Sequence, residues 1–144
     1  MKAAWDPSMQ LLLEAGFSRD VSYSLCMSAQ ELLENAVKYG NFQPGDHVDL
    51  TVELGPRAVT VEVRSPVYED ADRLKRLDDT IQWIRGYQNP FEAYVEKMKE
   101  VSSQPYTPGQ SGLGLTRIAY EGQCILDFYV DDTNTLAVSA VFQH

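Results

Sequence analysis

Cysteine is scarce: only Cys26 and Cys124 occur in 144 residues, and they do not form a Cys-x-x-Cys pair. That excludes a disulfide-stapled scaffold and leaves two reduced core thiols as the expectation. Histidine is equally sparse. His47 and His144 lie far apart in sequence and near expected element ends, so no zinc set or His-based triad is expected. Basic residues number 12 against 21 acidic ones, giving a net charge of −9. A duplex-binding protein needs a basic footprint to displace phosphate counterions, so nucleic acid is not the expected partner. No apolar run is long enough to cross a bilayer, and residues 1–10 lack a basic head followed by an apolar stretch. A cytoplasmic protein with no membrane partner is therefore expected.

What is present is enough apolar residue, 44%, to build a core, and the length suits one domain spanning 1–144. Met9, Leu12 and Leu13 mark a short helix over 7–15, interrupted by Gly16-Phe17-Ser18. A long helix is expected over 19–39, with Gly40 as its C-terminal cap. Val48, Leu50, Val52 and Leu54 alternate with polar residues, as do Val59, Val61 and Val63. The two runs read as a hairpin around Gly55-Pro56-Arg57, with Pro66 ending the second strand. Residues 68–103 carry two helical stripes, one of Leu74, Leu77, Ile81 and Ile84, the other of Phe91, Tyr94, Val95 and Met98. Both read as packing faces, with Asn89 capping and Pro90 opening the second helix. A loop over 104–110 leads into a helix that runs to about 121. Two strands, over 124–130 and 136–142, close the chain around 131–134. Strands and helices segregate instead of alternating. The expected fold is thus an α+β two-layer sandwich, a mostly antiparallel mixed sheet with helices on one face.

The long helix carries chemistry on one side. At 100° per residue, Asn35 sits about 40° from Glu31, and Lys38 about 20° on the other side. Leu25, Ala29, Leu32, Leu33 and Ala36 take the opposite arc. A carboxylate and an amide one turn apart are suited to hold a water and a metal over a phosphate. The same face also reads as a solvated one, since Glu34 and Lys38 stand at the i,i+4 spacing of a surface ion pair.

A second candidate is Ser111-Gly112-Leu113-Gly114-Leu115, which opens a helix. Glycines let a backbone approach a ligand closely, and the free amides of a helix start attract anions. No Gly-Lys-Ser/Thr follows, so this is not a P-loop. No strand leads straight into it, so it is not a dinucleotide fingerprint.

Glu-x-x-x-Asn-Ala-x-Lys on one helix, then a hairpin, then Ser-Gly-Leu-Gly-Leu opening another helix, resembles the GHKL ATPase superfamily over residues 19–142. That group holds histidine kinases, gyrase-type ATPases, Hsp90-type chaperones and anti-sigma-factor serine kinases. The small size and the lack of a phosphoacceptor-His helix look most like the anti-sigma-factor group. The resemblance implies a Bergerat-like ATP-binding fold in which Asn35 coordinates Mg²⁺ on the phosphates of ATP. Glu31 is then the general base or water-orienting carboxylate. Lys38 lies near the phosphates. Ser111, Gly112, Leu113 and Gly114 cradle them, and Leu115 packs the helix onto the sheet. Residues 68–108 take the place of the ATP lid. The anti-sigma relatives dimerise and act on protein partners, so a signalling-protein partner and a homodimer are implied as well.

Three departures bear on that expectation. The superfamily reads adenine with an Asp followed by glycines at a strand end, where this chain has Ser65-Pro66-Val67. A neutral, shorter serine accepts a hydrogen bond more weakly than a carboxylate. The lid region has two apolar-striped helices, and residues 1–15 read as helix where relatives have a strand, leaving four core strands. Three functions follow: a regulator with nucleotide binding weakened or lost, an active Mg-ATP-dependent serine kinase, or a sensor whose altered cleft takes another small ligand.

Overall fold

The computed structural model describes residues 2–68, 70–103 and 113–144, with 2–6 described as backbone only. Helix α1 spans Lys2–Glu14 and α2 spans Arg19–Tyr39. Strands β1 (Asp49–Leu54) and β2 (Ala58–Pro66) follow, then α3 (Ala71–Arg85), α4 (Pro90–Ser103) and α5 (Leu113–Tyr120). Strands β3 (Cys124–Val130) and β4 (Thr135–Gln143) complete the chain. The fold is α+β. Its four strands lie in the order β1-β2-β4-β3, and every neighbouring pair is antiparallel. The helix α1 and the four strands agree with the expectation that residues 1–15 are helical. That helix starts before the expected residue 7 and takes Pro7 into its interior.

The local chemistry explains the element ends. Ser18 Oγ accepts from Val21 N at 3.1 Å and caps α2. Asp70 Oδ1 accepts from Arg73 N at 3.0 Å and caps α3. Asn89 Oδ1 accepts from Phe91 N at 3.0 Å, the cap read from the Asn-Pro pair. Gly40 follows α2 as expected, but for a different reason. Its backbone is extended, not left-handed. A Cβ there would lie 2.2 Å from the Phe42 ring and 2.5 Å from the Ala36 carbonyl oxygen, so glycine is required by space.

Pro66 is tolerated as the last residue of β2. Val67 N donates to Asn134 O at 2.8 Å, so residues 65 and 67 bond toward β4 and residue 66 points the other way. There β1 has ended, since Asp49 pairs with Arg64, and no ladder bond is lost.

One sheet face is buried. Val59, Val61, Val63 and Ser65 of β2 alternate inward and join Leu136, Val138 and Ala140 of β4 and Cys124 and Leu126 of β3. Leu25, Cys26, Ala29, Leu32 and Ala36 of α2 pack on them, with Leu115, Ile118 and Ala119 of α5. Leu77, Ile81 and Ile84 of α3 belong to the same cluster, so the first stripe is a packing face as expected. The second packs only in part: in α4 Ala93 is buried and Tyr94 and Val95 are half-buried, while Phe91 is 47% and Met98 42% exposed. The other sheet face carries Arg64, which bonds Glu62 Oε1 at 2.7 Å and the Tyr129 hydroxyl, and lies 3.9 Å from Asp131. Among the described residues no helix is long and apolar enough to cross a membrane.

Candidate functional site

Four helices enclose a cavity of about 330 Å³. Asn35 and Tyr39 of α2 and Leu115 of α5 line one side. Arg73, Arg76, Leu77, Asp79 and Thr80 of α3 and Lys97 of α4 line the other. The last turns of α2 run past the start of α5, so Asn35 and Leu115, 80 positions apart in the chain, meet at one wall.

Glu31 lies one turn before Asn35 and does not line the cavity. Its Oε1 accepts from Arg117 Nη1 at 3.1 Å. Arg117 also donates through Nε to Glu121 Oε2 at 2.6 Å. These bonds hold the guanidinium in its charged form, Glu121 contributing most and Glu31 less. A Cβ on Gly114 would stand 2.5 Å from Glu31 Oε2. The first turn of α5 thus presses directly on the Glu31 carboxylate, and glycine makes that approach possible.

The sequence-derived site is therefore only partly assembled. Glu31, Asn35, Gly114 and Leu115 come together where α2 meets α5. Leu113 opens α5, and its carbonyl accepts from Thr116 Oγ1 at 2.8 Å. Lys38 is exposed and lies outside the cavity lining. Its expected i,i+4 partner bonds the other way along the helix: Glu34 Oε1 accepts from Gln30 Nε2 at 3.1 Å. Ser65 is 2% exposed on the inner sheet face, opposite Leu136, and is also not part of the lining. Ser111 and Gly112 lie outside the described residues. Among the described residues no group of three or more His, Cys, Asp or Glu side chains could hold a metal ion.

The cations of the cavity were not among the expected site residues. Arg73 is buried, 6% exposed, and burial pulls its guanidinium pKa below the usual range; Asp70 opposes that shift and Arg76 adds to it. Lys97 Nζ lies 5.6 Å from the Trp83 ring centroid and 3.5 Å from Glu100 Oε2. Asp79 accepts from Lys75 at 3.0 Å. Tyr39 has its hydroxyl pKa raised by burial, with Arg76 partly offsetting the rise. A signal for Arg73 did exist: it stands one turn before Leu77 on the apolar stripe of α3, where a cation is out of pattern.

No protein-family model, curated protein or solved structure matches this chain.

Proposed function

We propose that this chain is a regulatory domain of the histidine-kinase-like ATPase fold that acts through a signalling-protein partner, with nucleotide binding weakened or lost. The observation that carries this reading is the packing of α3: Leu77, Ile81 and Ile84 belong to the central core, which a lid that opens for ATP could not afford. The site residues support it. Glu31, the candidate water-orienting carboxylate, is occupied by Arg117. Of Glu31, Asn35, Lys38 and Ser65, only Asn35 lines the cavity. The one carboxylate among the described residues of the lining, Asp79, is bonded to Lys75. This set fits Mg-ATP poorly.

A protein partner accords with the aromatic surface where α4 meets α5. Phe91 and Tyr94 lie 5.1 and 5.2 Å from Tyr120, ring to ring, and Phe91, Met98 and Tyr120 are exposed. Aromatic and methionine side chains of this kind are enriched in interfaces. A cytoplasmic site of action and a homodimer go with the same reading.

Calorimetric titration with Mg-ATP tests it. The expected result is no binding heat at millimolar nucleotide. Micromolar binding with turnover abolished by Glu31→Gln would overturn it in favour of an active anti-sigma-type serine kinase using Mg²⁺ and ATP.

A further inference from the structure

A guanidinium has five N–H donors and no acceptor, and its removal from water is costly unless those donors are met. Arg73 is 6% exposed, yet its guanidinium has no hydrogen bond or ion pair among the described residues. Asp70, the nearby carboxylate, accepts from the Arg73 backbone N–H and not from the side chain. The unmet nitrogens are not sealed in protein either. Among the described residues, Ser22 Oγ is the only fully enclosed side-chain polar atom without a partner. The residual access of Arg73 is to the cavity it lines.

The rest of the lining has the same sense. Arg76 and Lys97, the latter also 3.5 Å from Glu100, add two cations against Asp79, the one carboxylate among the described residues of the lining, in a chain whose net charge is −9. Thr80 Oγ1 donates to Arg76 O at 2.8 Å, which leaves its lone pairs as acceptors, and Asn35 offers both donor and acceptor. Leu77 and Leu115 give an apolar surface. A few convergent polar groups on a partly apolar wall, in a volume at the small end of ligand sites, describe a small-molecule pocket.

We infer that this cavity binds a small organic oxyanion, a phosphate monoester or a carboxylate carrying an apolar ring, with its anionic head on Arg73 and its body against Leu77 and Leu115. Arg73 offers the planar fork that pairs bidentately with either head group, and Arg76 and Lys97 strengthen the local field. The inference stands on the cavity and does not require the ATPase-fold reading.

The test is thermal unfolding and calorimetry on the full chain with three probes: inorganic phosphate, phenyl phosphate and benzoate. A ligand that binds only the folded state raises the melting temperature in proportion to its saturation. Phenyl phosphate or benzoate at about 10 mM is expected to raise it by about 4 °C or more, and inorganic phosphate by less. The stronger of the two ring probes identifies the head group. Arg73→Met is expected to lose at least tenfold in affinity while remaining folded, and Lys97→Met to lose less. Lys99→Met, outside the lining, should bind as the parent does. No shift with any probe, or equal shifts in the parent and Arg73→Met, overturns the inference. Mg-ATP serves as a separate arm. Tight Mg-ATP binding that is indifferent to Arg73→Met would overturn the proposed function, whereas the ring probes alone decide the oxyanion site.

Discussion

Where α2 meets α5, just outside the cavity lining, the Glu31 charge is matched. Glu31 accepts from Arg117, and Arg117 also holds Glu121. On the α3–α4 wall the most buried cation, Arg73, has no such partner among the described residues, and Arg76 beside it repels. The α2–α5 contact carries residues that resemble a catalytic motif, and the α3–α4 wall carries Arg73, the group we propose receives a ligand. A motif residue held in an internal ion pair is poorly placed for chemistry. An unmatched buried charge on the facing helix is where binding energy remains available.

The largest expected effect tests whether both walls share one core. Ile81→Ala in α3 and Leu32→Ala in α2 should each cost about 2–5 kcal/mol in urea unfolding, because both side chains are almost wholly enclosed. An Ile81→Ala cost far below that of Leu32→Ala would mean that α3 opens independently, and would break the comparison.

The next concerns the dry interior behind the α2–α5 wall. Burial pushes the Cys124 thiol from its ordinary value of 9.0 up to about 11, with the Ser28 hydroxyl partly offsetting the rise. The folded state therefore favours the protonated thiol, while the unfolded chain ionises first. Stability should be level below pH 9 and fall between about pH 9 and pH 11, by roughly 2 kcal/mol from this group. Comparing denaturation midpoints of the parent and Cys124→Ala across that range isolates the effect, and an unchanged slope would show that water reaches the thiol.

Smaller effects set the two charged sites against each other. Arg73→Met should leave the ligand-free protein as stable as before or up to about 1 kcal/mol more stable, since it removes a buried charge without a partner. Arg117→Met should lower stability by less than about 1 kcal/mol, since that pair is partly exposed. The comparison is inverted if Arg73→Met is the more damaging of the two in chemical denaturation. Smallest is Gly114→Ala. The added methyl must displace the Glu31 carboxylate, which is flexible, so the expected loss is about 0.5–1 kcal/mol or less, and Glu31→Ala should abolish it in a double-mutant cycle.

Much of this was readable along the chain. The bounds of α2 and the two hairpins follow from local periodicity and turn residues. The Asn89 cap follows from Asn-Pro. The glycines at the start of α5 read as allowing close approach to a ligand, whereas at Gly114 the group in close approach is the Glu31 carboxylate. The outward turn of Phe91 and Met98 was not legible, because an amphipathic stripe shows that a face is apolar and not which face finds a neighbour. Nor was the fate of Lys38, whose spacing to Glu34 permits an ion pair that Gln30 preempts.

By itself the sequence determined the α+β class, the order of the elements and the side of α2 that carries Glu31 and Asn35. These depend on side-chain periodicity and capping, which act within a few residues. Only the tertiary structure decided that Arg117 takes Glu31, that Ser65 sits apart from the cavity, and that Arg73 is buried with no side-chain partner among the described residues. Each of those outcomes depends on which elements pack together, and burial of a charge is a property of four helices at once and not of the one that carries it.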